Sequence, residues 1–548
     1  MRKMLVVDAG STNYTKRVVF EDGRMEAVEN ELGEMTTPAS ILIGKEDGKE
    51  YIFIGRNAKD QSVITPEKYF CSWKREMGSE KVIRSIAGKD YTPVTLTAIM
   101  LKQMKKEAEE YCGCELSEIL ITMPVEYSET QKKALVDAAV IAGFEKDKVH
   151  IRLESDAAVR SADARNDFSG TIACLDCGGN TLDCTVCGVT NDEIRALFTK
   201  GDLNFAGKEF DICMAGLVKK IITKKIEESQ VDEQKKKELM KALNSLDKFS
   251  QQDLMLKSEK AKEDLSKKQK TSFSFCFAKG PEGTVNVQIE QKQYEEECEN
   301  VLMPHFRTFL SELKKALEEK NLQVTSLVLT GGSFHIPMLK KAVEDAFPES
   351  DIRLKNPEFS ICEGAALMAA EILGADKKGE DEQHIGVSKT FIPVCNRSYG
   401  IEAYTLCKDE NGKNMEKLMI STMLERNSAL PAVFERDYYT RVENQKAVAI
   451  NVYESNVHDE LEKDGNLELS KGTMIAQATL NVQKDLPKNS PIKVTMHLDE
   501  NYNLHVEAQE ETGHTSVETT VKVTSAMSEE EIEKKKQIVD DILDEKAS

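Results

Sequence analysis

Two short apolar runs in the chain each end in aspartate and turn back on themselves. MLVVDAGSTNYTKRVVF at 4 to 20 and IACLDCGGNTLDCTVCGV at 172 to 189 both read as a strand, a turn of glycine and small polar residues, and a second strand. Asp8 and Asp176 stand 168 residues apart, well beyond the ~20 to 50 residues of a solenoid repeat, so the spacing predicts a duplicated, domain-sized fold. Around the hairpins the period becomes helical, at 96 to 111, at 129 to 143 and through the charged stretch 218 to 268. Hairpins interleaved with helices predict α/β halves with covered sheets. A third glycine turn, Gly331-Gly332-Ser333, leads from an apolar strand into a helix, and the free N–H groups of such a start suit phosphate or ribose.

The pattern changes after a polar, glycine-containing stretch at 374 to 385, which reads as linker. Beyond it, Val448, Ile450 and Val452 alternate with Ala449, Asn451 and Tyr453, and Ile492, Val494, Met496 and Leu498 alternate with polar neighbours. Leu504, Val506 and Ala508 run on toward a Gly513 turn and to Val517, Val521 and Val523. Period two with short turns predicts an antiparallel β-sandwich. Ser528 and Glu531 form a capping box for a last helix whose apolar stripe is Ile532, Val539, Ile542 and Leu543. The expected organisation is an α/β unit over 1–375, a linker over 376–394, a β-sandwich over 395–526 and a short helical tail over 527–548.

A chain of 548 residues exceeds one hydrophobic core and has length for roughly three to four domain-sized units. Its net charge of -21 opposes a phosphodiester backbone, so nucleic acid is not an expected partner. No stretch approaches the ~20 apolar residues of a membrane span, and the opening apolar run is broken at once by Asp8 and Gly10. The 13 cysteines, without a small-domain framework, fit free thiols in a reducing compartment. A soluble, cytoplasmic protein with no membrane partner is expected.

A phosphate tail needs N–H donors at close range and Mg2+ needs hard oxygen ligands. Asp8 with Gly10, Ser11 and Thr12, and Asp176 with Gly178, Gly179 and Thr181, supply both in duplicate. One Asp-x-Gly turn alone is ordinary hairpin chemistry; two with the Gly331 turn point to phosphoryl chemistry. Cys174-x-x-Cys177 and Cys184-x-x-Cys187 imitate a four-thiolate zinc site, but positions i and i+3 on a strand face opposite sides, so buried structural thiols are expected. No H-E-x-x-H spacing or G-x-S-x-G elbow occurs.

DAGSTN, TMPVEYSETQKKALVDAAVIAG, LESDAA, DCGGNTLDCTV, GKEFD and LTGGSFHIP resemble, in order and spacing, the DnaK-type seventy-kilodalton heat-shock chaperones. SYGIEA, ENQKAVAINVYES and NLHVEAQEETG are similar to that family's peptide-binding sandwich, so the likeness covers roughly 1 to 535. It implies an actin-like ATPase domain of duplicated ribonuclease-H-like halves that binds ATP or ADP with Mg2+ through Asp8 and Asp176. Lys74 falls at the family's phosphate-contacting lysine, Glu154 at the glutamate near the attacking water, and Pro124 at a proline that switches with nucleotide state. Ser11, Thr12 and Thr181 are implied to line the phosphates with neighbours Gly10, Asn13, Gly178, Gly179 and Asn180. Gly207, Glu259, Lys262, Ser266, Gly331, Gly332, Ser333 and Glu358 are implied to form the nucleoside pocket. Ile401, Tyr404, Tyr438, Val448 and Ile450 are implied to line a cleft for extended apolar peptide; burial in the sandwich core is the alternative reading for each.

The resemblance has departures. Ser11 stands for threonine, Asn180 for glycine, Glu263 and His335 for arginine, and Glu358 for aspartate. A carboxylate at Glu263 cannot stack on adenine as a guanidinium does, so weakened nucleotide affinity is expected. Arg441 replaces a small residue at the cleft rim, the linker's usual acidic-apolar run is replaced by VSKTFIPV, and one helix stands where a long lid normally follows, from which faster peptide release is expected. The implied function is an ATP-controlled chaperone for unfolded segments, served by a J-domain protein and a nucleotide-exchange factor. Two other readings remain: an actin-like ATPase or sugar kinase, and a nucleotide-binding scaffold or co-chaperone with weak turnover.

Overall fold

A computed structural model describes residues 2–46, 49–163, 168–354, 358–374, 389–408, 414–456, 465–510, 517–521 and 527–546. Most of the expected linker, the Gly513 turn and Val523 lie outside these residues. Within them are α1 (Arg56–Gln61), α2 (Pro93–Cys112), α3 (Glu129–Ile141), α4 (Glu154–Ala162), α5 (Gly207–Glu228) and α6 (Glu233–Asn244). There follow α7 (Lys248–Leu265), α8 (Gln291–Val301), α9 (Met303–Glu319), α10 (Pro337–Ala346), α11 (Ser360–Leu373) and α12 (Glu529–Lys546).

The first hairpin is the middle of a sheet. Lys3–Ala9 runs antiparallel to Asn13–Phe20 and parallel to Ile119–Met123, which pairs in parallel with Val149–Leu153. Leu5 and Val7 share a core with α2 and α3, while Met4 and Val6 share another with α4 and α11. A strand covered on both faces explains why 4 to 7 is an unbroken apolar run instead of an alternation.

The second hairpin is built the same way. Gly170–Cys177 runs antiparallel to Leu182–Val189 and parallel to Val324–Thr330, which pairs in parallel with Asp351–Leu354. Cys174 and Cys187 face the core that holds α4 and α11, and Cys177 and Cys184 face the opposite core with α5 and α9. The four thiols therefore lie on two sides of the sheet, as strand geometry requires, and burial pushes each of them up.

At the far edge of this sheet, Thr390–Ile392 adds a parallel strand to Glu193–Asp202. Lys389 just before it is buried and ion-paired with buried Asp163 at 2.9 Å. The part of the expected linker from Lys389 onward is thus a docked strand, because its backbone completes a sheet edge and its lysine meets a carboxylate.

Beyond lies a five-stranded sheet against a four-stranded one, with strands antiparallel throughout. Pro491–Leu498 buries Ile492, Val494, Met496 and Leu498 and leaves the alternate residues partly exposed, which is the period-two pattern. The last helix forms with its capping box: the Glu531 amide donates to Ser528 Oγ and the Ser528 amide to the Glu531 carboxylate. Val539 and Ile542 are fully buried, and among the described residues the helix packs chiefly on α2, α3 and the strand Lys49–Ile54 of the first α/β unit. Lys102 pairs there with Asp540, and Lys535 donates to Thr92 Oγ1 at 3.2 Å.

Candidate functional site

The two aspartate turns meet. A Cβ on Gly179 would lie 1.9 Å from Thr12 Oγ1, so only glycine lets the second turn approach the first this closely. Asp8 accepts a hydrogen bond from Thr122 Oγ1 at 2.8 Å, and Asp176 accepts one from Thr330 Oγ1 at 3.0 Å. Both threonines sit on the parallel neighbour of the aspartate strand, so the halves orient their carboxylates in the same manner. Gly331 takes φ +83°, and a Cβ there would lie 2.3 Å from the Cys177 carbonyl oxygen, which keeps the third turn pressed against the second.

Lys74 and Glu154 complete the cleft. Lys74 Nζ lies 2.5 Å from Glu154 Oε1, with both side chains nearly buried. Burial works against the Lys74 charge, but the carboxylates of Glu154 and Asp8 outweigh it and leave its pKa raised. Burial, then the charge of Glu154, lifts Asp8 to about 6 and Asp176 to about 7. Asp183 is buried, and the same two causes push it well above the carboxylate range. Oxygens of Glu154, Asp176 and Asp183 all lie within 4.8 Å of one another, and Asp183 Oδ2 is buried without a hydrogen-bond partner. Four carboxylates facing one ammonium repel each other, which is the environment a divalent cation relieves; hard oxygens of this kind suit Mg2+.

The implied nucleoside residues gather on the second half. Ser333 Oγ donates to the Gly178 carbonyl at 2.6 Å, Lys262 pairs with Asp211 at 2.7 Å and reaches the Gly207 carbonyl at 3.3 Å, and Ser266 Oγ donates to the Lys262 carbonyl at 3.0 Å. Glu259 is joined across the cleft to Lys59 at 2.7 Å, and Glu358 faces His335 at 4.0 Å. Glu263 is exposed and faces Lys260 at 3.8 Å. Arg75 ties the halves together by donating to the Asn180 carbonyl at 2.8 Å and to Glu209 at 3.1 Å. The Hsp70 protein family matches residues 4–547. The chain belongs to the Hsp70 family. Chaperone protein DnaK from each of two strains of Halobacterium salinarum is 26% identical over 536 residues, which is 97% of this chain and 77% of the relative.

This Hsp70 is an ATP-hydrolysing molecular chaperone. No helix among its described residues is long and apolar enough to cross a membrane. In its sandwich, Ser398–Lys408 pairs with Gln445–Ser455 from Ser398 opposite Ser455 to Ile401 opposite Val452; beyond that each strand keeps only its other neighbour, and the sheet forks. Ile401 and Ile450 are buried in the core, and Val448 and Tyr438 pack partly against it. Tyr404 is 51% exposed, with the Arg441 guanidinium 3.5 Å over its ring and Arg441 paired with Glu416 at 2.5 Å.

Several residues of this Hsp70 escaped the sequence reading. Asp183 follows Asp176 by seven positions, where the first hairpin has Thr15, so the repeat itself concealed it. Thr122 and Thr330 lie inside the TMPVEY and LTGGSFHIP strings, but nothing in the sequence pairs a threonine hydroxyl with either aspartate. The docking set was also missed: Asn396 donates to the Val125 and Tyr127 carbonyls at 2.9 and 3.2 Å, Arg426 pairs with Glu126 at 2.7 Å, and Tyr502 donates to Asp156 at 3.0 Å. Pro124 opens the segment that Asn396 and Arg426 hold.

Proposed function

We propose that ATP binds between the Asp8 and Asp176 hairpins and that its hydrolysis controls the hold of the β-sandwich on extended apolar segments of unfolded proteins. The observation that carries this reading is the meeting of both turns at one cleft with Lys74 and Glu154 inside it and the sandwich fastened to its wall. The matching Thr122 and Thr330 bonds support two actin-like halves with equivalent phosphate turns.

In this reading the N–H groups of residues 10–13 and 178–181 grip the phosphates, and Gly207, Lys262, Ser333 and their neighbours hold the nucleoside. Lys74, paired with Glu154 at 2.5 Å, contacts the transferred phosphate and stabilises the charge that develops on it. Glu154 and Asp183 orient the attacking water. Asp8, Glu154, Asp176 and Asp183 would hold Mg2+, which supplies neutralisation of phosphate charge. Turnover is slow by design, since the nucleotide state serves as a timer for peptide release.

The forked edge of the sandwich is the proposed peptide cleft. Extended peptide would bind by backbone hydrogen bonds and by side chains set against Val448, Tyr438 and Tyr404, with Ile401 and Ile450 forming the floor. A J-domain protein and a nucleotide-exchange factor are the proposed helpers, and the reducing cytoplasm is the proposed setting. Steady-state ATPase measured with and without an extended apolar peptide tests the proposal, with Lys74→Ala as control. Peptide stimulation that vanishes in the control supports it; turnover indifferent to peptide overturns it.

A further inference from the structure

We propose that Cys213 and Cys298 form a redox-controlled pair that peroxide closes to a disulfide, clamping α5 to α8 and slowing nucleotide exchange. The effect on exchange rests on the nucleotide reading of the cleft; the disulfide itself does not.

The two sulfurs lie 3.7 Å apart, with the Cys298 thiol donating to Cys213. A disulfide spans ~2.05 Å, so closure needs an approach of only about 1.7 Å. The helices that carry them are already held side by side. Tyr294 Oη donates to the Phe210 carbonyl at 3.0 Å on one side of the pair, and Lys220 meets Glu297 at 2.5 Å on the other. The pair thus sits inside a helix contact fixed on both sides.

The surroundings favour Cys213 as the attacking sulfur. The hydrogen bond from Cys298 lowers the Cys213 thiol, against burial, whereas the thiols of Cys174, Cys177, Cys184 and Cys187 are all raised by burial. Reactive cysteines are those with thiolate character and access. Both cysteines are buried, but Cys213 retains 7% of its surface while Cys298 retains none, so Cys213 is the one nearer solvent and the assigned attacker, with Cys298 the resolver.

The chemistry balances with hydrogen peroxide as oxidant. The Cys213 thiolate attacks one peroxide oxygen, the O–O bond breaks, and the departing hydroxide takes a proton to become water. The product is a sulfenic acid. The Cys298 thiol then gives up its proton, its sulfur attacks Cys213, the S–O bond breaks and a second water leaves. Two thiols lose two electrons and one peroxide gains them.

The clamp reaches the cleft through α5. The Gly207 amide donates to the Gly178 carbonyl at 3.1 Å, and the Lys208 amide to the Gly179 carbonyl at 2.9 Å. Glu209 holds Arg75 across the cleft. Cys213 lies less than two helical turns from these contacts, so a covalent tie to α8 limits the movement that opens the phosphate turns.

The full chain is treated with hydrogen peroxide, digested without reductant and mapped by mass spectrometry, and release of a fluorescent ADP is timed before and after. The expected result is a peptide pair linked through residues 213 and 298, reversed by dithiothreitol, with ADP release slowed about fivefold. Cys213→Ala and Cys298→Ala should each abolish both changes, while Cys276→Ala, at an exposed thiol, should abolish neither. Absence of the 213–298 linkage in the unsubstituted chain overturns the proposal, and linkage without slower release overturns the clamp. Failure to bind ADP in the reduced chain sinks the nucleotide reading instead, and is told apart because peptide mapping needs no nucleotide.

Discussion

The Val125 amide donates to Asp183 Oδ1 at 3.2 Å. The carbonyl of the same residue accepts Asn396 Nδ2 at 2.9 Å, so one residue touches both the carboxylate cluster and the first residues of the sandwich. Val125 thereby links Asp183 to Asn396 through a single residue.

Asn396→Ala removes two hydrogen bonds to that segment. At about 1 kcal/mol each, docking of the sandwich should weaken by about tenfold or more. Basal ATPase is expected to persist and peptide stimulation to fall severalfold, measured as the ratio of the two rates.

Lys74→Ala removes the ammonium that sits against Glu154. ATP turnover should fall by at least about a hundredfold, with ATP affinity changed far less. Single-turnover kinetics beside equilibrium titration separates the two effects.

Glu263→Arg restores a planar cation where adenine is expected. A cation–π contact of about 0.5 to 2 kcal/mol should tighten ATP binding by roughly twofold to thirtyfold. Calorimetry reads the change; equal or weaker affinity would remove Glu263 from the adenine pocket.

Sandwich docking should depend on pH through Glu454. Its carboxylate accepts the Glu129 amide at 2.9 Å at the start of α3. Burial raises its pKa above the ordinary 4.5, aided by the Glu129 carboxylate and opposed by that amide, Arg397 and Lys132. A carboxyl raised on docking contributes stability that is full below its free value and is lost as pH rises through the docked value. Solution scattering should therefore show a more compact chain at about pH 5.5 than at about pH 8, and Glu454→Gln should flatten the dependence.

Arg441→Ala should open the cleft mouth by removing both the stack on Tyr404 and the ion pair with Glu416. Release of a labelled extended peptide is expected to accelerate severalfold, and the difference between Arg441 and Ala should shrink in a Tyr404→Leu background, as a double-mutant cycle reads.

What the sequence by itself determined was local. The aspartate hairpins, the alternating strands around Val494 and Val506 and the Ser528 capping box are set by periods of two or 3.6 residues and by turn chemistry, all of which operate within a few positions. The separation of Cys174 from Cys177 follows from strand geometry alone. The tertiary structure decided which of these pieces meet. Gly179 against Thr12, Asp183 beside Glu154, Asn396 on Val125 and Cys298 on Cys213 join residues too far apart to share a period. The last helix shows the limit clearly: its apolar stripe was readable, yet only the folded chain shows that α2, α3 and the strand Lys49–Ile54 receive it. An amphipathic face states that it must be buried, and only the complementary surface supplied by the folded chain states where.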